Sequence, residues 1–429
     1  MKILFLSQRF LLPMDTGGKI RTGNILKQLA KEHKITLISN VESPKDDAYL
    51  PQMNIFCRKF IPVPWHELQK YSIKFYAHLL LNLFSRYPVS VLNDSSKSLQ
   101  AAVEHEISTS NYDIAICDFV QSALNFKNIK TLPTLLFQHN VESEIAARHI
   151  KNSKNSIARL FWYLQWKKML RFEKGQCEKF DTVIAVSEYD KKLFQTKYNL
   201  KNVCTIPTGV DVDYFIPVAN HSKNPSLVFC GSMDWLPNED AILFFAKDIL
   251  PHIKNRIPSI RLNVVGRNPS PSLQKTIKKY PEIHLTGWVK DIRPYIAESS
   301  LYVVPIRIGG GTRMKIYEAM AMGKTIISTS VGAEGLPLEN GKHIIIADTP
   351  ADFAQKVIEL LRDKGKRAFM ERTAADYVRN NFTWEKVAWQ FSEICQTTAA
   401  TNPKKQHHAI FPGIRTGSSK RRPEPMKAR

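Results

Sequence analysis

The chain has 429 residues, 43% of them hydrophobic, 10% aromatic and 23% charged, a globular composition long enough for two or three domains that each bury a core. Its 61 Lys and Arg against 39 Asp and Glu leave a formal charge of +22, which turns the protein toward anionic partners. Six scattered cysteines with no C-x-x-C pair argue against a disulfide framework or a zinc cluster and fit a reducing cytosol, and no window approaches the ~18 uninterrupted apolar residues of a membrane span.

The first residues, Lys2-Ile3-Leu4-Phe5-Leu6, turn polar within one short run and read as a strand, not a signal peptide. Strands are predicted at 3–7, 35–39, 113–117, 134–138 and 182–186. Between them a helix follows Gly17-Gly18 to about residue 31, and two more span 67–86 and 95–108. The second half begins after Pro207-Thr208-Gly209, with strands at 226–230, 261–265, 284–286, 301–305, 325–328 and 343–346. Helices alternate with them at 239–250, 272–279, 314–322 and 351–361, and a last one starts at Trp384. Apolar strands alternating with amphipathic helices, twice over, predict two parallel sheets wrapped by helices and facing each other across a cleft.

The charge is patchy. Residues 148–174 hold eight basic groups and one acid, and so do residues 401–429, which together account for fourteen of the twenty-two excess charges. In the first stretch Ala158, Trp162, Trp166 and Leu170 recur at helical spacing beside Lys167, Arg171 and Lys174. That pattern suits an interfacial helix on anionic lipid, or a core-packed helix with a solvated basic face. The second stretch reads as a disordered tail.

The densest polar constellation follows the strand at 301–305. Gly309, Gly310, Gly311 and Thr312 lead into Arg313-Met314-Lys315 and a helix that carries Glu318. A glycine-rich loop opening into a helix presents free N–H groups and a positive helix end, which suit phosphate. Arg313 adds a bidentate fork and Lys315 a point charge, while Glu318, about one turn on, is placed to accept from ribose hydroxyls. The plainer reading is a glycine-rich turn with exposed basic side chains, since the spacing is not that of a P-loop. Thr16-Gly17-Gly18 closes the first strand-to-helix turn, and His139 follows the strand at 134–138, both on the predicted cleft side. Three strands of the second half end in glycine, at Gly231, Gly266 and Gly287, where backbone approaches a ligand closely.

Together these residues resemble glycosyltransferase family 4, the retaining nucleotide-sugar transferases of the GT-B fold. The resemblance runs over residues 1–396 and is densest in FCGSMDWLPNEDA, LTGWVKDIRPYI, PIRIGGGTRMKIYEAMAMGKTIIST and GAEGL, with a looser match in FLSQRFLLPMDTGGKIRTGNILKQLA, FQHNVES and VIAVSEYDKKLF. It is most similar to the subgroup that serves bacterial exopolysaccharide or cell-envelope glycan assembly. It implies an α/β protein of two Rossmann-like doubly wound domains, with an acceptor-side domain at 1–206 and a hinge at 207–225. A nucleotide-sugar-binding domain would follow at 226–380, then a helix at 381–398 crossing back to the first domain and a disordered basic tail at 399–429.

In that likeness Arg313 and Lys315 neutralise the diphosphate leaving group and Glu318 holds the ribose. Gly231, Gly310, Gly311 and Thr312 line the donor, and Gly287 and Val289 border its base. Gly17 and Gly18 abut donor phosphate and acceptor, and His139 contacts the transferred sugar. The implied partners are a nucleotide-diphosphate sugar, a glycan or lipid-linked acceptor and an anionic membrane surface at the cytoplasmic face, with no cofactor, no metal and no nucleic acid. A non-catalytic GT-B assembly protein and a nucleotide-sugar epimerase are the alternative readings. Three departures stand out. Gly310 replaces the first glutamate common in the family, Ser232-Met233-Asp234-Trp235 replaces a common Arg and Lys, and Thr208 replaces the usual hinge Asn.

Overall fold

In the computed structural model, which describes residues 1–69, 72–126, 129, 131–153, 155–218, 225–308 and 313–401, the apolar runs become strands buried on both faces. β1 (Lys2–Ser7) and β2 (Lys34–Val41) are buried throughout except for their first residues. With β3 (Lys59–Pro64), β4 (Ile114–Asp118), β5 (Thr134–Phe137), β6 (Thr182–Ala185) and β7 (Val203–Thr205) they form a parallel sheet in the order β3-β2-β1-β4-β5-β6-β7. A second parallel sheet joins β8 (Ser226–Cys230), β9 (Arg261–Val265), β10 (Ile283–Gly287), β11 (Leu301–Val304), β12 (Ile326–Ser328) and β13 (Ile345–Ile346) in the order β10-β9-β8-β11-β12-β13. Two doubly wound α/β units are thus present.

The differences from the predicted elements have local causes. β3 carries Pro62 and Pro64, which argue against a strand, but it sits at the sheet edge, where a missing N–H costs no ladder bond. β7 has only three residues and forms the opposite edge. The helix predicted at 67–86 is confined to Ile73–Asn82, entered through Ser72, whose hydroxyl accepts from the Phe75 amide at 3.1 Å. Helices Glu142–Asn152 and Lys364–Asn381 were not legible from apolar spacing, since few of their side chains are buried.

Val210 N donates to Phe382 O at 2.8 Å, which brings the connection between the sheets against the end of the second unit. There the ring of Trp384 covers Gly209 so closely that a Cβ on Gly209 would lie 2.4 Å from it. Helix Trp384–Thr401 then packs on the first sheet. Phe391 meets Phe137 edge to face at 5.2 Å, Thr398 Oγ1 lies 2.8 Å from Thr182 Oγ1, and Ser392 Oγ lies 2.8 Å from His33 Nε2. Trp384, Val387, Ala388, Phe391 and Cys395 share the first unit's core with Ile3, Phe5 and Ile116. Burial of Val387 and Phe391 contributes roughly 1.5–3 kcal/mol each, so the helix is firmly held. It continues to Thr401, past the predicted end at 398; the tail expected at 399–429 lies outside the described residues from 402 onward. Among the described residues no helix is long and apolar enough to cross a membrane.

Candidate active site

Strand order reverses between β1 and β4 in the first sheet and between β8 and β11 in the second. At such a switch point the loops leaving the carboxyl ends part and open a crevice. Gly17 heads helix Gly17–Leu29 after β1, and Met314 heads helix Met314–Ala321 after β11. The two helix starts face one another: Met314 Cε lies 3.6 Å from the position of a Cβ on Gly17. Among the described residues neither helix has a side-chain cap or an acid in its first turn, so two positive ends converge on one space.

On the second unit's side, Arg313 is 5% exposed, its guanidinium 5.1 Å from the Trp235 ring centroid. Burial draws its pKa down to about 10. Lys315 donates from Nζ to Asn238 Oδ1 at 3.0 Å and lies 4.2 Å from the Phe229 ring centroid. Burial, helped by the charge of Arg313, lowers its pKa to about 7. Burial likewise raises Glu318 to about 7, against the pull of Lys315. Lys315, whose cationic form burial and Arg313 both disfavour, gains from an incoming anion.

Glycines make the approach possible. A Cβ on Gly231 would stand 2.6 Å from Lys315 Nζ and 2.7 Å from Asn238 Nδ2, and one on Gly266 would stand 1.8 Å from the Gly231 carbonyl oxygen. Gly287 has φ +71°, which only glycine adopts freely, and it leads into the exposed Trp288 and half-buried Val289. Gly310, Gly311 and Thr312 lie outside the described residues.

On the first unit's side, His139 is 3% exposed at the carboxyl end of β5. Its Nε2 is 2.7 Å from Asp118 Oδ1, and its Nδ1 is 3.4 Å from Arg21 Nη1. A carboxylate accepts and a guanidinium donates, which assigns the proton to Nε2 and leaves Nδ1 as acceptor. Burial lowers the His139 pKa, so the ring is neutral at pH 7. Thr22 Oγ1 donates to the other Asp118 oxygen at 3.0 Å. Phe119 lies flat on the imidazole, with φ +64° in its own backbone, and a Cβ on Gly18 would come within 2.8 Å of its ring. Gly18, Phe119 and His139 therefore form one packed wall.

Several site residues escaped the sequence reading. Arg21 is buried on the inner face of helix Gly17–Leu29 and also donates to Thr208 Oγ1 in the connection between the sheets. Its signal was a basic residue one turn into a helix that begins at the cleft. Arg267 follows Gly266 directly; it donates to Ser232 Oγ at 3.1 Å and pairs across the cleft with Asp15 at 4.0 Å. Its place after a strand-terminal glycine could have marked it. Arg148, counted above only as charge, bridges the units through Glu334 at 3.3 Å.

Residues 16–214 match the family described as Glycosyltransferase Family 4, and residues 224–363 match Glycosyl transferases group 1. The chain belongs to the family 4 glycosyltransferases. The two matches part between 214 and 224, in the connection between β7 and β8, so each of the family's units coincides with one sheet. An "uncharacterized 44.6 kDa protein in cps region" of Klebsiella pneumoniae is 22% identical over 417 residues, 92% of this chain and 98% of its own length. A GDP-mannose-dependent monoacylated alpha-(1-6)-phosphatidylinositol monomannoside mannosyltransferase of Corynebacterium glutamicum is 22% identical over 51% of this chain and 62% of its own length. Among solved structures, sucrose-phosphate synthase from Thermosynechococcus elongatus superposes with a TM-score of 0.71 at 15% identity, covering 94% of this chain and 100% of that one. Anabaena HepE, in complex with UDP-glucose, gives 0.64 at 14% identity, covering 92% and 100%. These likenesses give the glycosyltransferase its GT-B fold.

Proposed function

We propose that the protein moves a sugar from a nucleotide-diphosphate sugar to a glycan or lipid-linked acceptor, with retention of anomeric configuration, in bacterial exopolysaccharide or cell-envelope glycan assembly at the cytoplasmic membrane face. The observation that carries the reading is the meeting of two helix N-termini, neither with an acid in its first turn, beside Arg313 and Lys315. That arrangement attracts a diphosphate and stabilises it most as it leaves. Support comes from HepE, which was solved with UDP-glucose, from the mannosyltransferase named for GDP-mannose, and from the relative in a cps region.

In the proposed reaction the glycosidic bond to the diphosphate breaks while the acceptor oxygen bonds to the anomeric carbon on the same face. The leaving phosphate takes the acceptor proton, so no side chain acts as nucleophile. Arg313 and Lys315 hold the departing charge, Glu318 accepts from the ribose, and the strand-end glycines Gly231 and Gly287 admit nucleotide to the backbone. Gly310, Gly311 and Thr312 complete the phosphate loop in this proposal, with Val289 beside the base. His139, neutral and wedged under Phe119, shapes the wall for the transferred sugar; direct contact through Nδ1 requires release of its 3.4 Å hydrogen bond to Arg21. Arg313 and Lys315 supply the charge that a divalent ion supplies in other transferases, so chelation with EDTA is expected to leave the rate unchanged.

The test is donor hydrolysis by the purified protein with UDP-, GDP- and ADP-sugars, read as nucleoside diphosphate release. An Arg313→Ala/Lys315→Ala variant is expected to lose about 10²–10³-fold in rate. Unchanged hydrolysis in that variant sinks the phosphate site.

A further inference from the structure

Helix Ile73–Asn82 turns its apolar stripe outward. Ile73, Tyr76, Leu80 and Phe84 follow one another at three- and four-residue spacing and are 89%, 53%, 64% and 92% exposed, with Leu81 at 71%. A helix packed on a domain places such a stripe inward, so this one awaits an apolar partner. Near the start of helix Ser156–Cys177, Ile157 and Leu160 are also exposed, at 79% and 59%. The two helices are tied at Asn82, whose Oδ1 accepts from Gln165 Nε2 at 2.9 Å and whose carbonyl accepts from Lys168 Nζ at 2.5 Å.

The rim has one sign. Lys74, Arg86, Arg159 and Lys167 are exposed and flank these residues in sequence, and no Asp or Glu occurs in 72–93 or 145–172. The segment also starts and ends on the cleft side of the first sheet. Trp65, just past the carboxyl end of β3, donates from Nε1 to Asn93 O at 3.0 Å, and Asp94 accepts from Gln8, just past β1, at 2.5 Å.

We propose that this face docks on the surface of an anionic phospholipid bilayer, with Ile73, Leu80, Leu81, Phe84, Ile157 and Leu160 entering the acyl boundary and the basic rim meeting the headgroups. A second copy of the chain is the poorer occupant, because it brings two wholly cationic rims together in a protein of charge +22. Anionic lipid supplies both the apolar phase and the opposite charge. The proposal deepens the reading of a lipid-linked acceptor above, since it holds the cleft mouth at the bilayer. Its test needs no donor and so fails or succeeds separately from that reading.

The experiment is flotation of the full chain with vesicles of phosphatidylcholine alone or with about 30% phosphatidylglycerol, compared with Leu80→Ser/Phe84→Ser and Ile157→Ser/Leu160→Ser variants. All keep residues 402–429, so the basic tail is common to each, and thermal melting checks that each is folded. The wild-type chain is expected to float with the anionic vesicles. The variants are expected to partition at least about tenfold more weakly, with donor hydrolysis in solution unchanged. Equal flotation of variants and wild type overturns the proposal, as does no flotation at all. Light scattering that shows a dimer broken by the same substitutions overturns it in favour of a second copy.

Discussion

Phe119 stacks on His139 with ring centroids 3.8 Å apart and planes 5° from parallel, and the tip of the same Phe119 ring reaches within 2.8 Å of a Cβ placed on Gly18. The left-handed backbone of Phe119 pins that ring in place, and the neutral imidazole beneath it is anchored to Asp118. The first unit's half of the cleft is thus a single stack running from the helix start through Phe119 to the end of β5.

Gly17 and Gly18 respond differently to the same substitution for this reason. Among the described residues, Gly17→Ala meets only Met314 Cε, at an ordinary 3.6 Å. Its stability without ligand should be unchanged or raised by up to about 1 kcal/mol, because alanine restricts the unfolded chain. Gly18→Ala forces the Phe119 ring off His139 and should cost about 1–3 kcal/mol. Urea unfolding of both variants measures the difference, and equal stability refutes the stack as a rigid wall.

Lys315 gives the site a pH dependence with a definite sign. Burial and Arg313 set its pKa to about 7 in the ligand-free protein, and a bound diphosphate raises it. Binding therefore takes up a proton above pH 7, and affinity for a nucleoside diphosphate should fall between pH 7 and 9, by up to about tenfold per unit. Ionisation of Glu318, also near 7, favours its ribose contacts and opposes part of this fall. Calorimetry across that range should show the decline in the wild-type chain and a flat or rising profile in Lys315→Met.

The sheet strands were legible because parallel strands buried on both faces are unbroken apolar runs, as 3–7 and 226–230 show. The phosphate reading came from residues that are neighbours in sequence, with Arg313 and Lys315 at the start of one helix. Arg21, the pair Asp118 and Phe119, and Arg267 come from three separate places, helix Gly17–Leu29 and the ends of β4 and β9, and only the folded sheets bring them to the cleft. The positive φ of Phe119 has no signature in a residue type that rarely adopts it. The outward stripe of Ile73–Asn82 reads as an ordinary core helix, because periodicity tells that a face exists and not which way it points.

Gly209 is where the connection between the sheets runs beneath Trp384. A Cβ there would lie 2.4–2.6 Å from ring atoms held in the first unit's core. Gly209→Ala should destabilise the protein by about 1–3 kcal/mol, and a Trp384→Leu background, with a smaller side chain over the turn, should absorb most of that loss. A double-mutant cycle in urea measures the coupling; additive losses show that the two residues do not press on each other.

Thr208 ties that same connection to the first helix. It is fully buried, and its hydroxyl accepts from Arg21 Nη2, whose guanidinium also faces His139. Thr208→Val keeps the shape and removes the acceptor, at a cost of about 1.5–3 kcal/mol for a buried hydrogen bond to a charged group. Because Arg21 then turns away from the strand end, the donor-hydrolysis rate should fall in the same variant. Thr208→Asn restores a carbonyl acceptor and should recover both stability and rate. If Thr208→Val keeps full rate, the contact only supports the fold, and Arg21 does not link the connection between the sheets to the cleft wall.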